Sequence, residues 1–321
     1  MEMSFSFNHG PNGFRPKREN WIPSIRTMQL SDNVLCFHDG RTRVGEPIFA
    51  VTDENWVQID MDLGTAAYAL FEGDQALIMD TMLVPEQASY MRARLESIGV
   101  KKFIVVNTHI DPDHIGGNAA FADSEIISLQ GSYEILARLK KEGQFWGEPT
   151  IDPFVLPNTH IDKDEILEFG SYKLKLLKVE AHQKGGSLCV YIPEYKAAIV
   201  GDVVEDSVNF IIHPQDILTG INETKRLLDF DIEHVLPMHG DPEKMSRVMY
   251  NKDFILAAIN YQQALYDRVK DPAYLDSTLE DFIGQELANG TLTLFAPYVD
   301  LHKQNCRLMY DYWVKGIAPQ Y

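Results

Sequence analysis

The segment Asn107-Thr108-His109-Ile110-Asp111-Pro112-Asp113-His114-Ile115-Gly116-Gly117-Asn118 carries four potential metal ligands within six positions. It closes the apolar run Lys102–Asn107, and α/β proteins place their sites beyond the carboxyl ends of such strands. Pro112 rules out a regular helix through the middle of the four. Two imidazoles and two carboxylates crowded into one tight loop need their charge balanced. A divalent cation does this well, because both groups are natural ligands for zinc, iron and manganese. A polar surface loop bonded to itself would account for one isolated His or Asp. It does not account for four together, after a strand and before Gly116-Gly117.

The segment resembles the HxHxDH loop of the metallo-β-lactamase superfamily, written here as HxDxDH. The family's other elements follow in order. His182, in Ala181-His182-Gln183-Lys184-Gly185-Gly186-Ser187, resembles the histidine that precedes a Gly-Ser turn. Asp202, in Ile199-Val200-Gly201-Asp202, resembles the bridging aspartate at a strand end. His239, in Leu236-Pro237-Met238-His239-Gly240-Asp241, resembles the last histidine in its P-x-HG context. Asp80, closing Leu77-Ile78-Met79-Asp80-Thr81, matches an aspartate that supports the ligands without usually being one. The match runs roughly from Gly64 to Pro242. Each motif alone is weak, and the ordered series is strong.

The resemblance implies an α/β fold, the αββα sandwich of two mixed β-sheets. It also implies a dinuclear site. The first metal would take His109, Asp111 and His182, the second Asp113, His114 and His239, with Asp202 bridging both together with a water or hydroxide. Two ions roughly 3.5–4 Å apart lower the pKa of such a water and hold an oxyanion as it forms. On this reading Asp113 is also catalytic, orienting the nucleophile or shuttling its proton.

The departure from the family pattern is Asp111, where the family has its second histidine. A carboxylate adds negative charge and a hard oxygen, which favours iron or manganese over zinc. Diiron members such as the flavodiiron proteins carry a carboxylate there, usually Glu, but nothing after His239 offers a flavodoxin-like domain. Asp is a methylene shorter than Glu, so ligation through water, a weak first site or a single metal are also open. The first expectation is a metallohydrolase that attacks a small-molecule ester, thioester, lactone or amide through the metal-bridging hydroxide. The alternative is a non-haem diiron oxidoreductase, oxygenase or oxygen-binding protein. A non-catalytic sensor on the same scaffold is a third, and the other six ligands argue against it.

The elements that must position these residues alternate. Ala66–Phe71 and Gln75–Asp80 read as strands joined at Glu72-Gly73-Asp74. A helix follows from Pro85, with Met91, Leu95 and Ile98 on one face and Gly99 as its stop. Downstream come a strand at Glu125–Ser128 and a helix over Ser132–Glu142. Further strands fall at Tyr172–Glu180, Leu188–Ile192, Ala197–Val200 and His234–Pro237, with a helix around Glu223–Phe230. Interleaved helices and hairpins make the fold mixed α/β. Three parts are expected: an N-terminal arm over residues 1–30 with Phe5, Phe7, Phe14 and Trp21 as anchors, a metallo-β-lactamase-like domain over 31–250, and a helical extension over 251–321. The string NTHID occurs twice, at Asn107–Asp111 and Asn158–Asp162, without wider similarity, and is read as coincidence.

In that extension Tyr298, His302 and Asn305 share a helical face. His302 and Tyr298 are candidates to cap the pocket or meet a partner subunit, against a plain packed helix face. His213 could approach the pocket but is read as structural, while His9, His160 and His234 take ordinary surface or strand roles. Loops such as Lys140–Pro153, with Phe145 and Trp146, could meet the substrate.

The formal net charge of −18 disfavours nucleic-acid and membrane-surface partners and leaves a small-molecule substrate. Cys36, Cys189 and Cys306 are far apart and odd in number, so no disulfide framework or zinc ribbon is expected and the cytoplasm is indicated. Cys189, in an apolar run, reads as a core residue. No signal-peptide pattern and no membrane-length apolar stretch are seen. Aromatic termini make a homodimer a further expectation.

Overall fold

The computed structural model describes residues 25–41, 63–143 and 151–319. The expected anchors of the N-terminal arm, His9, and Phe145 and Trp146 lie outside those residues. Twelve strands among the described residues form two mixed sheets. The larger holds β1 (Arg26–Ser31), β2 (Val34–Asp39), β3 (Thr65–Glu72), β4 (Gln75–Met79), β5 (Lys102–Val106), β6 (Glu125–Leu129) and β7 (Thr159–Ile161), in that order. Its first four strands pair antiparallel and β4 to β7 pair parallel. The smaller sheet runs β12 (His234–Pro237), β11 (Ala197–Gly201), β10 (Ser187–Ile192), β9 (Tyr172–Val179), β8 (Glu165–Phe169). Only its β11–β12 pair is parallel.

The inner strands of the larger sheet, β3 to β6, are largely buried on both faces, which is why they read as nearly unbroken apolar runs. Tyr68, Leu70, Leu77 and Met79 point into the core shared with Leu174, Leu176, Val190 and Ile199 of the smaller sheet. Their alternates, Ala67, Ala69, Ala76 and Ile78, face outward beneath Met91 and Leu95 of α1 (Pro85–Glu96). Ile98 does not join that face. The helix caps at Ser97 and Ile98 is 42% exposed, because the chain leaves the helical path before Gly99 (φ +103). A one-turn helix, α2 (Pro112–Ile115), follows β5, and α3 (Gln130–Glu142) follows β6.

Past the smaller sheet, α4 spans Ile217–Lys225 and ends in a 3₁₀ turn, Arg226–Asp229. The helix expected around Glu223–Phe230 therefore starts earlier. Its buried face is Ile217, Gly220, Ile221 and Thr224. Short α5 (Pro242–Ser246) leads into the helical C-terminal part, α6 (Lys252–Arg268), α7 (Glu280–Ala288) and α8 (Pro297–Trp313). α6 packs on α4 and β12, so the helical part joins the same core as the smaller sheet. β1 pairs with β2 in the larger sheet, so residues 26–30 are part of the sheet and not of the expected arm. Among the described residues no helix is long and apolar enough to cross a membrane. The two NTHID strings differ in structure: the first leaves β5 as a loop and the second forms β7.

Candidate metal centre

Five strand ends converge on one region. Asp80 follows β4, the His109–His114 loop follows β5, His182 follows β9, Asp202 follows β11 and His239 follows β12. The sheets thus place every residue singled out as a ligand beyond a carboxyl end. The potential ligand atoms of His109, Asp111, His182 and Asp202 lie within 4.8 Å of one another, as do those of Asp113, His114 and His239. Asp202 Oδ2 sits among all four imidazoles, 3.4 Å from His109 Nε2, 3.2 Å from His114 Nε2, 3.7 Å from His182 Nε2 and 3.2 Å from His239 Nε2. It faces both groups.

Asp111 Oδ2 lies 3.3 Å from His109 Nε2 and 3.3 Å from His182 Nε2, so the short carboxylate reaches both imidazoles of the first group. Asp113 Oδ2 stands 3.4 Å from His114 Nε2 and 3.2 Å from His239 Nε2. Pro112 does more than break a helix here. It opens α2 at its first position, where a missing N–H costs nothing, and so sets Asp113 and His114 on one rigid turn.

Three of the four imidazoles are aimed from behind. His114 Nδ1 is 2.7 Å from Asp80 Oδ2, and His239 Nδ1 is 2.5 Å from the Gly64 carbonyl oxygen. Thr108 donates its hydroxyl to Asp80 Oδ2 at 2.6 Å and lies 3.0 Å from His109 Nδ1, whose proton it accepts. With Nδ1 held from behind, each Nε2 faces the centre and presents its lone pair there once its own proton has left. His109 Nε2, His114 Nε2 and Asp202 Oδ1 are buried with no hydrogen-bond partner among the described residues. Buried polar atoms are rarely left so, and a pair of divalent cations fits this donor set.

The charges agree. Burial opposes a proton on His109, as does His114, yet Asp202 and Asp111 raise it to about 9. Burial is likewise overcome at His114 and His239, which their aspartate neighbours hold well above the usual imidazole range. Burial would neutralise Asp111, Asp113 and Asp202, but the surrounding histidines keep all three below the ordinary carboxylate range.

The loop's exit is sterically fixed. A Cβ on Gly116 would run into the Leu83 carbonyl oxygen, and one on Gly117 into Thr81 O and Ala88 Cβ. An amide pair, Asn118 Nδ2 to Asn107 Oδ1 at 2.9 Å, closes the loop on itself. Gly117→Ala is therefore expected to destabilise the protein by about 1–3 kcal/mol or more through overpacking. Thermal denaturation checks this, and an unchanged melting temperature would contradict the close approach.

A cavity of about 330 Å³ opens beside His182. Phe210, Ile211, Ile212 and Ile217 supply apolar wall, and Gln183 and Lys184 a polar rim. His213 also lines it, and burial together with Lys184 pushes its pKa down to about 4. The face shared by Tyr298, His302 and Asn305 points inward, with all three buried. Tyr298 donates to Glu205 Oε2 at 3.1 Å, behind the ligand cluster. Asn305 accepts from Ile211 N and donates to the Asn209 carbonyl, both at 2.8 Å, which fixes the cavity wall. His302 is not among the cavity-lining residues. It pairs with Tyr261 at 3.0 Å inside the helical part, where burial pushes it down to about 4. His160 stacks on Tyr133, and His234 begins β12. All three cysteines are buried and free.

Sequence reasoning missed three residues here. Glu205, three positions past Asp202, is fully enclosed, and burial with the nearby Asp202 charge pushes it up to about 7. The signal was an acidic pair, Glu205-Asp206, directly after an apolar strand. Gln183 adjoins His182 and hydrogen-bonds to Asp111. His38, buried in β2, lies beside Gly64, and neither of its ring nitrogens has a hydrogen-bond partner among the described residues.

Comparison with known proteins agrees with this geometry. The family model described as the metallo-beta-lactamase superfamily matches residues 61–239. A metallo-beta-lactamase from Pontibacter korlensis superposes with a TM-score of 0.51 at 15% identity, covering 70% of this chain and 99% of its own. The crystal structure of VMB-1 at pH 5.5 superposes with a TM-score of 0.52 at 17% identity, covering 73% and 97%. At such identities the likeness is one of fold. No curated protein matches in sequence.

Proposed function

The chain belongs to the metallo-β-lactamase superfamily, and from that premise we propose that it is a metal-dependent hydrolase of a small-molecule ester, thioester, lactone or amide. The observation that carries this reading is the convergence of four imidazoles on Asp202 Oδ2, with His109 Nε2 and His114 Nε2 buried, turned toward that carboxylate and without a hydrogen-bond partner among the described residues. His109, Asp111 and His182 would hold one divalent ion, Asp113, His114 and His239 a second, and Asp202 would face both. When bound, the ions supply a water of lowered pKa and Lewis-acid polarisation of the acyl oxygen. Asp113, placed beside His114 and His239, would orient the attacking water or shuttle its proton on to the departing alkoxide, thiolate or amine as the acyl bond breaks. The acyl portion fits the cavity beside His182, against Phe210, Ile211 and Ile217. A net charge of −18 favours a small molecule over nucleic acid.

One observation favours a second reading. Asp111 gives the first position a carboxylate where the family pattern has an imidazole, which suits iron and so a diiron oxidoreductase or oxygen-binding protein. Metal analysis of protein purified without added metal, with an optical spectrum and an ester and lactone panel, separates the two. Zinc with turnover of the panel supports hydrolysis. Two irons with oxygen-sensitive absorption and no turnover overturn it.

Metal uptake is also expected to release protons near pH 7.5, because His109 (about 9), His114 and His239 hold theirs in the metal-free protein. Calorimetry in two buffers of different ionisation enthalpy reads this directly. Identical heats in both would contradict it.

A further inference from the structure

Asp111 is shorter than the glutamate it resembles in diiron members, and its side chain is 22% exposed. A carboxylate so placed would be free to rotate, to share water or to ligate through both oxygens. It is held instead at two points. Oδ1 accepts a hydrogen bond from Gln183 Nε2 at 2.5 Å, while Oδ2 lies 3.3 Å from both His109 Nε2 and His182 Nε2. The amide must turn its NH₂ toward Asp111, since the other orientation would set oxygen against oxygen.

Gln183 is itself held rigidly. His182 adopts φ +65, and Gln183 N donates to the Ala181 carbonyl across it at 2.9 Å. A three-residue turn with positive φ at its centre is uncommon and strained. It is pinned from outside as well. Gly185 (φ +88) packs so closely on the start of α3 that a Cβ there would lie 2.7 Å from Ser132 N and 2.8 Å from the Gly131 carbonyl carbon. One turn therefore delivers two consecutive side chains to the two oxygens of one carboxylate, His182 toward Oδ2 and Gln183 to Oδ1.

Resting on the ligand set above, we propose that Gln183 is a positioning residue that fixes Asp111 as a one-oxygen ligand of the first metal position. A neutral amide suits the task. It occupies Oδ1 without cancelling the negative charge the cation needs, as Lys or Arg would. The residue reaches the metal only through Asp111, so its effect must vanish when Asp111 is no longer a carboxylate.

Cobalt(II) titration of metal-free protein, followed by the optical bands of the bound ion, tests this in four proteins: wild type, Gln183→Met, Asp111→His and the double variant. Partners that orient metal ligands are worth roughly 10–100-fold in affinity. Gln183→Met is expected to weaken the first position by about that factor while leaving the second unchanged. In the Asp111→His background the same substitution is expected to change nothing. Equal losses in both backgrounds, or no loss in either, would overturn the proposal. The ligand set is judged separately, by Asp111→Ala: if that variant binds cobalt as wild type does, the set itself is wrong. Gln183→Leu, which likewise removes the amide and adds no charge, gives the same test should Gln183→Met not fold.

Discussion

Asp202→Asn is expected to disable both metal positions at once, with affinity falling at least about 100-fold, since partners one step further from the metal are already worth roughly 10–100-fold. The substitution keeps the shape and removes one charge from the point where four imidazoles meet. Metal analysis of the purified variant and turnover on the ester and lactone panel should fall together. Retention of two ions per chain would contradict the shared position of Asp202. The metal-free protein offers a second reading of the same contact. Asp202 is held below its ordinary range, so its contribution to stability is present above about pH 4 and lost as pH falls through its folded value. His109, His114 and His239 are raised, so theirs is full below about pH 6.5 and lost as pH rises through the folded values, near 9 for His109. The metal-free variant should therefore lose most stability between roughly pH 4 and 7, and the gap to wild type should narrow on either side. A gap independent of pH would show that the carboxylate and the imidazoles do not share charge.

A residue's role is legible in the sequence when it is local. The sites that follow buried strands announce themselves, because a run such as Lys102–Val106 ending in His, Asp, Asp and His makes little sense as a solvated loop. Ligands from distant segments can be placed only through the ordered resemblance, since nothing local ties His182 to Asp111. The hairpin of β1 and β2 escapes a reading of the sequence although Asp32-Asn33 marks its turn. β2 buries His38 and Asp39 at its end, and polar residues there obscure the strand pattern. The start of α4 is hidden by Pro214-Gln215-Asp216, which reads as a break but forms a 3₁₀ turn leading into the helix. Helical spacing alone picks out Tyr298, but its partner Glu205 lies 93 residues away, a pairing only the packed fold supplies.

Asp80, which is in neither ligand group, is the other residue whose loss should be severe. It is fully buried, and it is the acceptor for three donors. Oδ1 takes Thr108 N at 2.7 Å, and Oδ2 takes Thr108 Oγ1 at 2.6 Å and His114 Nδ1 at 2.7 Å. Asp80→Ala leaves a backbone N–H, a hydroxyl and an imidazole N–H buried without acceptors. Breaking a buried charged contact from one side typically destabilises by about 3–5 kcal/mol. Part of this is position-specific, because Asp80 sits at φ +63, a conformation that Asn and Asp tolerate better than Ala. Asp80→Asn therefore separates the two contributions. It suits the backbone and keeps acceptor capacity on one oxygen, but turns an NH₂ toward one of the former donors. Asp80→Asn is expected to melt well above Asp80→Ala and still bind metal about 10–100-fold more weakly than wild type, because His114 is no longer held with Nε2 toward the centre. Should Asp80→Asn bind metal as tightly as wild type, the aim of His114 would be set by packing within α2 and not by the Asp80 carboxylate.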